Sequence, residues 1–206
     1  MEKTFTYYDM EADSGSAVKA TCISCSYVTV SSNFKVIEEE GTFNSRLRKS
    51  RAFEVDAMIA HSIPLKKIQS EKLSNGELVD KLEAKFIELA KKGTIFVGYN
   101  SSGYDQILLN HMLHLNLKWP YITSKEQFDL LPAVRSASVF APKALNYLTN
   151  FKKNTSYKLQ DMIKANNIKS EVAHDSLWDS RSTKDLGFLL FKNARFCKEI
   201  MRNSGK

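Results

Sequence analysis

The chain has 206 residues, of which 43% are hydrophobic and 26% are charged, a balance that favours a globular protein over a disordered one. Thirty Lys and Arg residues against 23 Asp and Glu residues give a formal net charge of +7 at pH 7. That charge favours anionic partners such as nucleic acid or a membrane surface, although a need for solubility would explain it equally well. No internal repeat or low-complexity linker divides the sequence, so we predict a single domain over residues 1–206.

The cysteines and the N-terminus indicate where the protein resides. Cys22, Cys25 and Cys197 are an odd and small number, which favours a reducing compartment. Cys22 and Cys25 form a CxxC within the β-rich run TCISCSYVTV, without a second pair at zinc-finger spacing, so packing in a strand is favoured over redox or zinc chemistry. The start, MEKTFTYYD, lacks the apolar core of a signal peptide, and no stretch approaches the ~20 apolar residues of a membrane span. We expect a soluble monomer of the cytoplasm or another reducing compartment, without a membrane partner.

The first part of the chain predicts strands. Residues 4–9, 20–30 and 33–43 are rich in Thr, Tyr, Val and Ile and are separated by turn-forming residues, as in an antiparallel meander. Residues 44–75 are predicted to be irregular. They contain the basic run SRLRKSR at 45–51, which fits a solvated loop or a phosphate contact equally well.

The rest of the chain predicts helices around one buried strand. Ser74 and Glu77 form a capping box, and apolar residues then recur at helical spacing until Gly93 ends the helix. The apolar run TIFVGYN at 94–100 predicts a strand buried on both faces, and helices are predicted over 103–117, 156–165 and 176–201. A strand that follows a helix indicates a β-α-β crossover. The predicted fold class is therefore α/β with a mixed sheet.

The first candidate site residues are Asp9 and Glu11, in YYDMEAD. Residues i and i+2 of a strand point to the same face, so the two carboxylates project side by side where the first predicted strand ends. The two carboxylates repel each other, and because no Lys or Arg is close in the sequence, a divalent metal ion is a natural counter-charge. The alternative is a solvated strand end.

Asp105 follows the buried strand in GYNSSGYDQ, at the carboxyl end where ligands of α/β sheets gather. An aspartate at this position can also cap the helix that begins here. Position alone leaves both functions open.

The strongest pattern is AHDSLWDSRSTKDLGFLLF at 173–191. Asp179 lies on the same helical stripe as Leu186 and Leu190, and a carboxylate on an inward face is unfavourable unless it is paired or bound to metal. His174 lies five residues before Asp179, and at about 100° per residue the two side chains would point in different directions on one continuous helix. We therefore place His174 on the loop before the helix, with Asp175 or Ser176 as the N-cap. A lone histidine is more often a structural residue.

Together these residues predict phosphodiester hydrolysis. Four acids from three segments can hold two divalent metals, one activating water and the other stabilising the leaving oxygen. Oxygen ligands suit Mg²⁺ or Mn²⁺. Histidine is well matched to accept a proton from water at neutral pH.

The order of these motifs resembles the DEDDh exonuclease superfamily, and most of all the catalytic domain of the bacterial exonuclease I family. The similar stretches are DxE at Asp9 and Glu11, GYNSSGYDQ, FDLLPAVRS at 128–136, YKLQDMIKANNI at 157–168 and AHDSLWD. They cover the chain from Tyr7 to about Leu190. One difference is Ala12, where many members carry Thr after the DxE.

The resemblance implies a ribonuclease H-like mixed sheet flanked by helices and a 3′→5′ exonuclease acting on the 3′ ends of single-stranded DNA. It assigns the metal ligands as Asp9, Glu11, Asp105 and Asp179, and His174 as the general base. It also places Lys158 at a basic substrate-contacting position. The pocket for the terminal nucleotide is assigned to Met10, Ala12 and the segment Ala60, His61, Ser62 and Ile63. The alternatives are a 3′→5′ exoribonuclease, a catalytically silent nucleic-acid-binding module and a small-molecule enzyme such as a nucleotide phosphatase.

Overall fold

The structure is a computed structural model that describes residues 3–32, 34, 36–48, 50–123, 126–149, 153–169 and 175–194. In this part of the chain the strands are β1 (Phe5–Ala12), β2 (Cys22–Val30), β3 (Ile37–Asn44), β4 (Ile95–Gly98) and β5 (Gln127–Asp129). The helices are α1 (Val55–His61), α2 (Leu65–Ser70), α3 (Asn75–Lys91), α4 (Asp105–Leu115), α5 (Leu130–Phe140), α6 (Leu159–Ala165) and α7 (Ser176–Asn193). A 3₁₀ turn at Ser101–Gly103 precedes α4.

The five strands form one mixed sheet in the order β3-β2-β1-β4-β5. The pairs β1–β2 and β2–β3 are antiparallel, whereas β1–β4 and β4–β5 are parallel. The predicted antiparallel meander and the α/β class with a mixed sheet are both confirmed.

Helices cover both faces of the sheet. The alternation of β1 sends Phe5 and Tyr7 into a core with α5, α6 and α7, and sends Tyr8 and Met10 into a second core with α3 and α4. Because side chains alternate, Asp9 and Glu11 lie on the same side as Tyr7, the side that α7 covers. This layering decides which helix the two acids face.

The segment 44–75, predicted to be irregular, contains two short helices. α1 has seven residues and α2 has six, too short for a helical pattern to stand out. α2 is held by the burial of Ile68 against Ile23 and Leu47, which is a tertiary contact. β5 and α5 were also not predicted as separate elements.

The basic run at 45–51 supplies structural contacts. Arg51 donates from Nε to Oδ2 of the buried Asp13 at 2.7 Å, and Arg46 donates to the backbone carbonyl of Lys72. The first contact ties the segment before α1 to the loop after β1, and the second ties it to the segment between α2 and α3. For these two residues the structure favours a structural function over a phosphate contact.

The two cysteines of the CxxC are free and buried on β2. A bulge shifts the β1–β2 register, so that Glu11 pairs with Ser24 and Ala12 with Cys22. The bulge places Cys22 and Cys25 in the same core, where burial raises the pKa of both thiols. Their surroundings agree with packing in a strand, and Cys197 lies outside the described residues.

Candidate active site

Three carboxylates converge where β1 extends past its parallel partner. β4 pairs with β1 only as far as Tyr7, which leaves Asp9 and Glu11 beyond the end of the parallel pair. Asp179 lies in the first turn of α7, and one oxygen from each of the three acids lies within 4.8 Å of the others. The predicted stripe of α7 is buried along its length, at Asp179, Thr183, Leu186 and Leu190.

The start of α7 is fixed to β2 by hydroxyl groups. The Oγ atom of Ser176 lies 2.8 Å from Oγ of Ser24 and 2.7 Å from Oγ of Ser26. Asp175 is the cap, and its Oδ1 accepts hydrogen bonds from the backbone N–H groups of Leu177 and Trp178 at 3.1 and 3.2 Å. These contacts hold Asp179 opposite the two acids of β1.

Asp105 begins α4 and lines the same cavity as the other three acids. Its Oδ1 accepts a hydrogen bond from the backbone N–H of Met10 at 3.0 Å, so it contacts the strand between Asp9 and Glu11. Within the described residues it is not one of the three acids whose oxygens lie closest together. Asp105 therefore joins β1 to α4, and the other three acids form the tighter cluster of possible ligand atoms.

The loop that carries Asp105 is held by Asp129, in the motif FDLLPAVRS. Asp129 caps α5 through the N–H of Leu131 at 3.0 Å, and it also accepts from the N–H groups of Asn100 at 2.8 Å and Ser102 at 3.1 Å. Asn100 has a φ of 61°, a left-handed conformation that asparagine tolerates better than most residues. One carboxylate thus fixes both α5 and the turn that leads to Asp105.

The acids raise one another's pKa values. Burial, with Asp179 and Asp105 nearby, raises the pKa of Glu11 from 4.5 to about 8, and burial raises that of Asp105 to about 7. Burial and the charges of Asp105 and Glu11 raise the pKa of Asp9 well above its usual range. Each shift reflects negative charge crowded away from bulk water, which a bound cation would relieve.

The acids line a cavity of about 480 Å³. Its other walls come from the loop after β1, from α1, from the turn before α4 and from α6, and its full lining is Asp9, Met10, Glu11, Ala12, Ser14, Gly15, Ala57, Ala60, Tyr99, Asn100, Tyr104, Asp105, Leu159, Gln160 and Asp179. A second cavity of about 590 Å³ shares Tyr99, Asn100 and Leu159 with it and adds Arg135 and Lys158. An acidic cavity therefore adjoins a basic one.

The predicted substrate-contacting residues lie in different places. Met10, Ala12 and Ala60 line the acidic cavity, and Lys158 lines the basic one. His61 is 3% exposed, and its Nδ1 accepts a hydrogen bond from the N–H of Ile63 at 3.0 Å. It is not among the residues that line this cavity, and its predicted contact with the terminal nucleotide stays a prediction.

His174 lies outside the described residues, so its predicted function as general base stays a prediction. Sequence reasoning missed Ala57, because α1 was not recognised as a helix. It also missed Gln160, although this residue follows Lys158 by two positions in YKLQDM, the stretch already identified as similar to exonuclease I.

The mixed five-stranded sheet, flanked by helices and carrying acids at the carboxyl ends of its central strands, is a ribonuclease H-like fold. No protein-family model matches the chain. The sequence is 24% identical over 213 residues to exodeoxyribonuclease I of Haemophilus influenzae, an alignment that covers 100% of this chain and 44% of that protein. Exodeoxyribonuclease I of Escherichia coli is 29% identical over 94 residues, which are 44% of this chain and 20% of that protein.

Solved structures of exonuclease I have the same fold as this chain. E. coli exonuclease I in complex with a dT13 oligonucleotide matches with a TM-score of 0.89 at 20% identity, covering 97% of this chain and 43% of that one. The complex with a dA16 oligonucleotide matches with a TM-score of 0.88. The chain thus resembles exodeoxyribonuclease I in sequence and in fold, as predicted, and spans less than half the length of these proteins. Among the residues described, no helix combines the length and apolar character needed to cross a membrane.

Proposed function

We propose that the chain is a metal-dependent 3′→5′ exonuclease that degrades single-stranded DNA to 5′-mononucleotides. The observation that carries this proposal is the convergence of oxygens from Asp9, Glu11 and Asp179 within 4.8 Å, in a cavity that Asp105 also lines. Similarity to proteins named exodeoxyribonuclease I, one of which has been solved in complexes with two DNA oligonucleotides, supports DNA as the substrate.

The residues present fit a divalent cation. The donor set consists of carboxylate oxygens, which suit Mg²⁺ or Mn²⁺, and the raised pKa values of Asp9 and Glu11 reflect negative charge that a cation would neutralise. We assign Asp9, Glu11 and Asp179 as ligands and Asp105 as a further ligand for a pair of ions. When bound, such ions lower the pKa of the attacking water and stabilise negative charge on the phosphate.

The reaction requires a water oxygen to attack the last phosphorus of the strand while the bond from that phosphorus to the 3′ oxygen breaks. The water proton passes to His174, which we assign as the general base, and the 3′ oxygen of the shortened strand takes up a proton. The released nucleotide carries the 5′ phosphate. The fixed backbone around Asp105 and Met10 keeps the acids in place during this exchange.

Basic residues beside the acidic cavity support binding of a nucleic-acid strand. Lys158 and Arg135 are exposed and line the adjoining cavity, and the Arg135 guanidinium lies 5.7 Å from the ring centre of Tyr157. Positive charge along this cavity can contact phosphates, while the aromatic surface can stack with bases. The last phosphodiester would then lie over the acids.

The test uses oligonucleotides labelled at the 5′ end, as single-stranded DNA, duplex DNA and RNA, with Mg²⁺ or Mn²⁺. We expect single-stranded DNA to shorten stepwise from its 3′ end, EDTA to stop the reaction, and added Mg²⁺ to restore it. Asp9→Asn and Asp179→Asn should each lower the rate by at least about 10³-fold, because each removes a charged ligand. Asp185→Asn, on the partly exposed side of α7, is the matched control and should retain the wild-type rate.

Several outcomes would overturn the proposal. A wild-type protein that leaves single-stranded DNA intact with either metal, or that cuts it internally, is not this exonuclease. Faster degradation of RNA than of DNA would support the exoribonuclease instead. Full activity in Asp179→Asn would exclude the Asp179 carboxylate as a metal ligand that the reaction requires.

A further inference from the structure

Gln160 contacts the proposed metal site without being a ligand in it. Its Nε2 donates a hydrogen bond to Oδ1 of Asp179 at 2.9 Å, and both side chains line the acidic cavity. When a carboxylate holds a cation it is ionised and can only accept hydrogen bonds, so in that state the amide must present its nitrogen to Asp179. The contact therefore has a defined donor and a defined acceptor.

The backbone that carries Gln160 is firmly anchored. Gln160 is the second residue of α6, and the next turn of this helix buries Met162 and Ile163. Met162 packs in the same core as Leu186 and Leu190 of α7. Because α6 and α7 share this core, the hydrogen bond joins two elements whose relative position is already determined by packing.

The chemistry of the side chain suits this position. Asp9 and Glu11 already lie close to Asp179, so in the absence of a cation a fourth acid at position 160 would add repulsion. A neutral amide supplies a donor to Asp179 without competing with a cation for the site, whereas a lysine would bring a competing positive charge. Gln160 is half-buried and thus within reach of the acids while remaining at the cavity wall.

We propose that Gln160 is a positioning residue whose side-chain amide holds the carboxylate of Asp179 in the orientation that lets it share a cation with Asp9 and Glu11. The inference rests on the proposed function, since it concerns the same metal site. Hydrogen bonds to metal ligands fix their orientation, and their loss typically weakens metal affinity by about 10–100-fold. Gln160 also lies two residues after Lys158, the N-cap of α6, so the start of this helix contributes to the walls of both the acidic and the basic cavity.

The experiment measures Mn²⁺ binding directly, by the electron paramagnetic resonance signal of free Mn²⁺ during titration. The variants are Gln160→Leu and Gln160→Met, which both remove the donor, the second with a side chain of nearly the same length as glutamine. Gln69→Leu, at an exposed position of α2, is the matched control. We expect both Gln160 variants to bind Mn²⁺ about 10–100-fold more weakly and the control to bind as wild type does.

A double-mutant cycle with Asp179→Asn separates positioning from a general effect on the fold. In that background Gln160→Leu should weaken Mn²⁺ binding by less than about threefold, because the charged partner of the amide is already gone. If Gln160→Leu fails to fold, the affinity of Gln160→Met for Mn²⁺ gives the result. Unchanged Mn²⁺ affinity in the folded variants would overturn the proposal. A loss in Gln160→Leu that is absent in Gln160→Met would overturn it as well, because it would indicate that the side chain acts by packing. Absence of Mn²⁺ binding and of nuclease activity in the wild type would instead overturn the proposed function.

Discussion

Replacing Glu11 with glutamine should make the metal-free protein more stable, by an amount that grows with pH. The pKa of Glu11 is raised from 4.5 to about 8, so the folded protein retains a proton that the unfolded chain releases across this range. Wild type therefore loses stability as pH rises from about 4.5 to about 8. Glutamine does not ionise and escapes the loss.

The size of the effect follows from the same shift. A rise from 4.5 to about 8 corresponds to about 5 kcal/mol for an isolated carboxyl group, at about 1.4 kcal/mol per pKa unit. The cavity is open to solvent, which screens part of this repulsion, so we expect about 2 kcal/mol at pH 8.5. For a chain of this length that is a melting temperature about 4–8 °C higher than wild type.

The assay is thermal unfolding in EDTA at pH 5 and pH 8.5, repeated at pH 8.5 with Mg²⁺. We expect the two proteins to melt within about 2 °C of each other at pH 5, where Glu11 is protonated in the folded state. Mg²⁺ at 100 times its dissociation constant should stabilise wild type by about 2.7 kcal/mol and the variant by less. The difference between their melting temperatures should therefore become smaller or change sign. Glu38→Gln, at an exposed position of β3, controls for the change in net charge.

A melting-temperature difference that is the same at pH 5 and pH 8.5 would refute the reasoning, because it would show that the pKa of Glu11 is not raised in the folded protein. Equal shifts for Glu11→Gln and Glu38→Gln would refute it as well. The effect would then come from net charge and not from the acidic site.

Three further predictions concern other parts of the site. His174→Ala should slow single-turnover cleavage by about 10²–10⁴-fold and leave Mn²⁺ titrations unchanged, whereas a full rate with an unaltered pH profile would assign His174 a structural function. Lys158→Ala should weaken binding to a single-stranded oligonucleotide and reduce the slope of log K against log salt by about 0.7, measured by fluorescence anisotropy, and an unchanged slope would exclude a phosphate contact. Asp129→Ala should lower the free energy of unfolding in urea by about 2–3 kcal/mol, because three backbone N–H groups lose their acceptor, with Asp129→Asn in between. A loss below about 0.5 kcal/mol for Asp129→Ala would mean that water replaces the carboxylate at these groups.

Local periodicity explains what was predictable about this site. Asp9 and Glu11 share a face because strand side chains alternate, and Asp179 shares a stripe with buried leucines because helical side chains recur every three to four residues. The capping box at Ser74 and Glu77, observed at the start of α3, depends on residues only three positions apart. Such features need no knowledge of distant parts of the chain.

Other features depend on contacts between distant segments. α2 and β5 are too short to show a period, and they form because Ile68 joins a small core and because β5 pairs with β4. Burial of His61 likewise follows from the packing of α1, which the sequence pattern did not reveal.

Patterns in the chain were sufficient to predict that Asp9 and Glu11 share one face, that Asp179 faces inward, and that the order of the motifs resembles the exonuclease I family. The packing of distant elements was needed to bring Asp9, Glu11 and Asp179 within 4.8 Å, to bond Asp105 to the backbone of Met10, and to place Gln160 against Asp179. The physical reason is that periodicity fixes the direction of a side chain relative to its own element. The partner that it meets is fixed by how elements far apart in the chain pack over one sheet.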